Sequence, residues 1–93
     1  MLEKQIVKKI KDYLNGLENT FVWKTHGGHF SNIGVPDLIG VYNGKLIGVE
    51  VKRPGKKPTL IQSAFIEKLK KCGAIAFIAS SVDEVKDEIV KAT

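Results

Sequence analysis

Apolar residues recur at nearly helical spacing at the start of the chain, with lysines between them: Leu2, Ile6, Ile10, Leu14 and Leu17. A helix with one buried stripe and an otherwise charged surface produces this pattern. Gly16 lies near the end of the pattern, where helices commonly stop. The spacing therefore predicts an amphipathic helix from about residue 2 to residue 15.

Three β-prone runs follow, at residues 21–25, 35–42 and 45–52. Asn43-Gly44 separates the second run from the third, and Asn-Gly between two apolar, β-branched runs favours a hairpin with a two-residue type I′ turn. This turn also predicts the strand register, because each step back from it pairs the next two residues. Asp37 is then expected to lie opposite Glu50.

The second half of the chain continues with a helix. Pro54, Gly55 and Pro58 interrupt the chain, and residues 59–62 match a capping box that opens the helix. Gly73 is the expected left-handed stop at its end. The apolar residues predicted on the buried side of this helix are Ile61, Phe65, Leu69 and Cys72.

A strand and a last helix complete the pattern. Residues 74–79 form a continuous apolar run, which is typical of a strand covered on both faces. Residues 81–84 match a second capping box, and Val82, Val85 and Ile89 follow at helical spacing. The predicted order is αβββαβα, an α/β fold whose strand–helix–strand crossover makes the central sheet mixed and leaves it flanked by helices.

Composition and charge narrow the class of protein. A 93-residue chain with 43% hydrophobic residues fits one small domain over residues 1–93. Cys72 has no second cysteine to pair with, so a reducing cytoplasmic setting is expected. No apolar run approaches the ~18 residues of a membrane span, so no membrane partner is expected. The net charge of +5 favours a polyanionic partner, with nucleic acid first among the candidates.

The predicted hairpin places chemistry on the sheet. Asp37 and Glu50 would lie about 4.5–5.5 Å apart at Cβ, where like charges repel, and Lys52 would project from the same side as Glu50. Two adjacent carboxylates favour a hard divalent cation, Mg²⁺ or Mn²⁺, and the carbonyl of Val51 is a plausible further ligand. Such an ion can bind a phosphodiester and activate water, while Lys52 orients the nucleophile or stabilises the transition state.

Pro36-Asp37 followed by Glu50-Val51-Lys52 resembles the PD-(D/E)xK signature of the restriction-endonuclease-like superfamily, whose core is also αβββαβα. Within it, the chain resembles the virus-type replication-repair nuclease (VRR-NUC) domain. That family's pattern is a glutamate early in the first helix, Gly-x-Pro-Asp, Glu-x-Lys, and a glutamine that begins the next helix. The matching residues here are Glu3, Gly34 to Asp37, Glu50 to Lys52, and Gln62.

The resemblance implies a metal-dependent DNA nuclease that cuts branched DNA, such as flaps or Holliday junctions, and leaves 5′-phosphate ends. It implies that Asp37 and Glu50 bind the metal, that Lys52 is the catalytic lysine, that Glu3 is an outer metal ligand, and that Gln62 supports Lys52, the water or the DNA. It further implies a homodimer and a role in DNA repair in a bacterial or phage-infected cell.

Several of the residues assigned to the site also have a purely structural explanation. Glu3 lies where an acid stabilises a helix dipole, and Gln62 occupies the third position of a capping box. Glu50 and Lys52 are also compatible with a solvent-facing stripe on a hairpin. The alternative function is a non-catalytic DNA-binding module with a nuclease-like fold.

Several residues are predicted to contact DNA. Arg53, Lys56 and Lys57 directly follow the strand that contains Glu50, Lys24 shortly precedes the loop that leads into the hairpin, and His29 lies within that loop. His26 and His29 have no cysteines beside them that would indicate zinc. Trp23 is expected in the core or at an interface. The more specific alternative is that its ring stacks on an unpaired base.

Overall fold

The computed structural model describes residues 1–25 and 33–93. Its helices and strands follow in the predicted order αβββαβα, with these bounds: α1 Glu3–Asn15, β1 Thr20–Lys24, β2 Leu38–Tyr42, β3 Lys45–Val51, α2 Leu60–Lys71, β4 Ile75–Ala79 and α3 Val82–Ala92.

Within the described residues the strands form one sheet in the order β1-β2-β3-β4. β1 pairs with β2 and β2 with β3 in antiparallel fashion, whereas β3 and β4 are parallel, so the sheet is mixed as predicted. Tyr42 lies opposite Lys45 and Ile39 opposite Gly48, which confirms the predicted register. Asn43 and Gly44 have φ angles of 48° and 84°, the paired positive values that a type I′ turn requires.

One face of the sheet packs against α1 and α3 and forms the hydrophobic core. Side chains alternate between the faces of a strand, so every second residue of β3 points to this side. Most of the predicted apolar residues of α1 and α3 face this core, but Leu2, the N-cap residue of α1, is 53% exposed. The buried residues of this core are Ile6, Val7, Ile10, Leu14, Val22, Leu38, Ile47, Val49, Val51, Ile75, Phe77, Ala79, Val85 and Ile89.

Helix α2 packs against β3 and β4 from the opposite face, where Leu69 lies close to Gly48. The predicted buried side of α2 was partly wrong. Ile66 is the buried residue, whereas Ile61 is 54% exposed and Cys72 is exposed. The first turn of α2 precedes the part of the helix that lies over the strands, and Cys72 is already the C-cap residue.

The ends of α2 have the predicted caps. Thr59 Oγ1 accepts from the Gln62 backbone N–H at 3.1 Å, and Gln62 Oε1 accepts from the Thr59 N–H at 2.9 Å, which completes the capping box. Gly73 has a φ of 93°, and the N–H of Ala74 reaches back to the carbonyl of Leu69 at 3.0 Å, as in a Schellman motif.

None of the helices in residues 1–25 and 33–93 combines the length and the apolar character needed to cross a membrane.

Candidate active site at the end of the central hairpin

Asp37 lies directly before β2, and the end of β1 fixes its backbone. The Thr25 N–H donates to the Asp37 carbonyl at 2.9 Å, and the Thr25 hydroxyl donates to the Pro36 carbonyl at 2.7 Å. Continuing the β2–β3 register by one residue places Asp37 opposite Glu50. Three neighbouring strand ends therefore meet where the sequence predicted the acidic pair.

The carboxylate of Asp37 is turned toward β3. Its Oδ2 accepts a hydrogen bond from the backbone N–H of Val51 at 2.8 Å, across the gap between the two strands. This bond continues the hairpin beyond the regular ladder, because a side chain accepts where a backbone carbonyl would otherwise do so. Asp37 is thereby held in a fixed orientation beside Glu50.

Glu50 is a buried acid on a central strand, with 3% of its surface exposed. Burial, and after it the negative charge of Asp37, raises the pKa of the Glu50 carboxyl group from 4.5 to about 7, although Lys52 and a hydrogen bond from the Asp37 backbone act in the opposite direction. A charged carboxylate in this position is unfavourable unless a cation compensates it.

Lys52 supplies part of that compensation. Its Nζ lies 3.6 Å from Glu50 Oε2, and its side chain is 16% exposed. Lys52 is two residues past Glu50, so both side chains project from the α2 face of the sheet. This placement excludes the reading of Glu50 and Lys52 as a solvent-facing stripe.

A main-chain carbonyl adds to the oxygen-rich edge of the site. The Lys52 N–H donates toward β4, to the Ala79 carbonyl at 3.0 Å, whereas the Val51 N–H donates toward Asp37. Since the N–H and C=O of one residue in an extended strand point to the same side, the Val51 carbonyl also points toward the Asp37 side.

The donor set at this edge is therefore two carboxylates and one carbonyl. These are oxygen ligands of the kind that Mg²⁺ and Mn²⁺ prefer, in a site where a few protein ligands leave places for water and phosphate. The carboxylates of Asp37 and Glu50 repel each other when no cation is present, and the same two carboxylates would bind the ion. The residues present thus fit a hard divalent cation.

Glu3 and Gln62 are not shown to join this group. Glu3 is the first residue of α1 and is half-buried. In the described part of the chain, no three carboxylate, histidine or cysteine side chains form a group that could hold a metal ion, so Glu3 is not grouped with Asp37 and Glu50. Gln62 uses its Oε1 in the capping box. The catalytic roles of both residues remain predictions.

The predicted DNA contacts are distributed around this edge. Arg53, Lys56 and Lys57 are exposed and follow β3 directly, and Lys24 is exposed at the end of β1. His29 lies outside the described residues, as does His26. Their roles in binding DNA remain predictions.

One contact of the neighbourhood was missed from sequence, and one expectation is narrowed. Thr25 fixes the backbone of Pro36 and Asp37, and its signal was its position at the end of a β-prone run. Trp23 is 45% exposed and lies beside Phe21, with ring centroids 5.8 Å apart, so it is not a core residue. Sequence could not show this exposure, because it depends on where α2 crosses the sheet.

Comparison with known proteins was made on sequence and on structure. No family model and no curated protein matches the chain. A solved structure described as a "VRR_NUC domain" is 29% identical, with a TM-score of 0.75 over 95% of this chain and 94% of the other. A second, described as a "VRR_NUC domain protein", is 22% identical, with a TM-score of 0.74 over 100% of this chain and 91% of the other, and shows likeness of fold alone.

Proposed function

The chain has the fold of a VRR-NUC domain, and from this premise we propose that it is a metal-dependent nuclease that hydrolyses phosphodiester bonds in DNA. The observation that supports this proposal most directly is the buried carboxylate of Glu50, 3% exposed on a central strand with Asp37 beside it. Such a costly arrangement is typical of a functional site.

Asp37, Glu50 and the carbonyl of Val51 would hold the ion. Bound Mg²⁺ or Mn²⁺ supplies positive charge for the phosphate oxygens and lowers the pKa of an attacking water. The hydrogen bond from the Val51 N–H to Asp37 Oδ2, at 2.8 Å, orients the first ligand before anything binds. Preorganised ligands of this kind do not have to be reordered during the reaction.

Lys52 acts on the substrate side of the site. Its ammonium group has three donors, and its Nζ lies 3.6 Å from Glu50 Oε2, which positions the group without burying it completely. The remaining donors are available to orient a water or to contact a phosphate oxygen. Because Glu50 and Lys52 share one face, a phosphate bound at the ion would be within reach of the Lys52 ammonium group, which would stabilise negative charge developing on it.

The surrounding charge favours a nucleic acid substrate. The chain has a net charge of +5, and Arg53, Lys56 and Lys57 are exposed just after the strand that contains Glu50 and Lys52. Each phosphate contact that these residues make should add ~0.9 to the slope of log affinity against log salt on duplex DNA.

We propose a finer description on the basis of the family resemblance. The substrate is branched DNA, such as a flap or a four-way junction, and the products have 5′-phosphate ends. The active form is a homodimer, since two sites related by a twofold axis suit symmetric cutting of a junction. The rival is a DNA-binding module without catalysis.

One experiment separates these two functions. Wild type, Lys52→Ala and the control Lys45→Ala are incubated with labelled four-way junction, flap and linear duplex, with Mn²⁺ or with EDTA. Lys45 is a suitable control because it is an exposed lysine at the other end of the same strand. Cutting by wild type and Lys45→Ala in Mn²⁺ only, with a loss of at least ~100-fold in Lys52→Ala, supports the nuclease.

The opposite outcome is equally clear. If wild type cuts no DNA in Mn²⁺ or Mg²⁺ but wild type and Lys52→Ala bind DNA equally tightly, the protein is a binding module. Equal cutting by wild type and Lys52→Ala would remove Lys52 from the mechanism.

A further inference from the structure

Two large aliphatic side chains are exposed side by side at the first turn of α2. Leu60 is 90% exposed and Ile61 is 54% exposed, although both belong to a regular helix. We call these two residues the apolar prong. Single exposed apolar residues are common, but two adjacent ones beside a candidate active site are informative about binding.

The direction of α2 places the prong at the catalytic end of the sheet. Near the helix C-terminus, Lys70 lines the same surface hollow as Lys45, the first residue of β3. The helix therefore runs opposite to β3, and its N-terminus lies at the end of the strand that contains Glu50 and Lys52.

A direct contact connects the prong to the metal-binding motif. A Cβ built on Gly34 would lie 2.7 Å from Ile61 Cγ2, so the glycine backbone packs against the Ile61 side chain. Gly34 is three residues before Asp37 and has a φ of 92°, a conformation that favours glycine. The prong therefore adjoins the segment that presents Asp37.

The charge around the prong suits a polyanion. Lys56 and Lys57 are exposed four and three residues before α2 begins, and the first turn of the helix contains no acidic residue. The centre of a protein–protein interface is usually depleted of lysine, whereas proteins that deform DNA place apolar wedges among cations. The observations favour DNA over a protein partner.

We propose that Leu60 and Ile61 insert between bases at the branch point of the DNA held in the active site. Leucine and isoleucine are among the side chains that proteins use as wedges between base steps. Unstacking is least costly where pairing is already interrupted, so a wedge favours a branch over continuous duplex. This inference rests on the proposed DNA nuclease and assigns its branch selectivity to the prong.

The test uses Leu60→Ala/Ile61→Ala and the matched control Val90→Ala. Val90 is an apolar helix residue with 73% exposure on α3, on the other side of the sheet. Flap and linear duplex are cut in Mn²⁺. The double variant should cut the flap about tenfold more slowly, as expected for the loss of one base contact, while cutting of linear duplex is unchanged.

A second measurement does not depend on catalysis. A flap that carries 2-aminopurine at the branch point is titrated with protein in EDTA, and its fluorescence reports unstacking. Wild type and Val90→Ala should increase the fluorescence, and the double variant should not, at concentrations that saturate binding. Thermal unfolding followed by circular dichroism confirms that the double variant is folded.

The outcomes distinguish the two proposals. Cutting of all substrates at wild-type rates by the double variant, or an unchanged fluorescence increase, overturns the wedge and leaves the nuclease intact. Failure of wild type to cut any DNA overturns the nuclease, while the EDTA titration still tests the wedge. If light scattering shows that wild type is a dimer and the double variant is not, while both give the same increase in 2-aminopurine fluorescence, the prong is a protein contact. That result also overturns the wedge.

Discussion

The two faces of β3 differ in chemistry although they belong to one seven-residue strand. Toward α1 and α3 the strand presents Ile47, Val49 and Val51, all nearly inaccessible to water. Toward α2 it presents Gly48 and then Glu50, a buried acid, with Lys52 just beyond the strand. The first face stabilises the fold, whereas the second holds a buried acid at a cost in stability, as is typical of functional sites.

The comparison implies that substitutions on the two faces should have opposite consequences. Changes on the core face should lower the free energy of unfolding and leave cleavage by the folded molecules intact. Changes to the charged residues of the α2 face, Glu50 and Lys52, should remove cleavage while stability is kept or even improved. The following predictions test this division.

The largest effect on stability is expected from Ile47→Ala. Ile47 is 0% exposed in the core, so the substitution should lower the free energy of unfolding by about 2–5 kcal/mol. Urea denaturation measures the change. The control is Leu46→Ala, the preceding residue, which is 42% exposed and belongs to the opposite face. Equal losses for the two variants would contradict the division between faces.

Glu50→Gln should raise the free energy of unfolding, in contrast to Ile47→Ala. Because the pKa of Glu50 is raised from 4.5 to about 7 in the folded protein, ionisation of Glu50 destabilises the native state as pH rises through this range. The glutamine variant should therefore be more stable than wild type by roughly 2–3 kcal/mol above pH 7, with the difference lost below pH 4.5.

The measurement for Glu50→Gln is urea denaturation of metal-free protein in EDTA across this pH range. Glu18→Gln, at an exposed position, is the control and should show no such difference. The prediction is wrong if Glu50→Gln is less stable than wild type at pH 8. Cleavage should be lost in the same variant, since the amide is a poor ligand for a hard cation.

Gly48→Ala tests how closely helix α2 packs on strand β3. A Cβ at Gly48 would lie 3.1 Å from Leu69 Cδ1 and 3.3 Å from Pro36 Cγ, so the substitution should cost about 1 kcal/mol of stability. Leu69→Ala in the same molecule removes the closest atom, and the cost of Gly48→Ala should then decrease. A double-mutant cycle in urea measures this coupling, and strict additivity would argue against the contact.

The smallest effect concerns the cap of α2. Thr59→Ala and Gln62→Ala each remove half of the capping box and should each cost about 1 kcal/mol of stability. We expect Gln62→Ala alone to slow cleavage as well, because its side chain is predicted to act in the site. If both variants cut DNA at the wild-type rate, Gln62 is a capping residue without a catalytic role.

Local signals in the sequence determined much of the fold. Asn43-Gly44 specified the hairpin and its register, because a two-residue turn with two positive φ values leaves one pairing for the strands. Gly73 and the residue pair Thr59 and Gln62 specified the ends of α2 through short-range hydrogen bonds. These features depend on residues that are close together in the chain and can therefore be predicted without a tertiary structure.

Burial and charge depended on contacts between distant segments. Ile66, rather than Ile61 or Cys72, is buried in α2, because the docking of the helix on β3 and β4 decides which side chains are covered. The raised pKa of Glu50 requires both its burial and the proximity of Asp37. Helical periodicity gives a stripe but not the surface that will cover it.

The sequence by itself thus determined the order of the elements, the pairing of the hairpin and the residue types of the candidate site. The tertiary structure decided which carboxylate is buried, how Val51 orients Asp37, and where Leu60 and Ile61 are exposed. The reason is physical: turns and caps are settled within a few residues, whereas desolvation and electrostatic coupling are properties of the assembled layers.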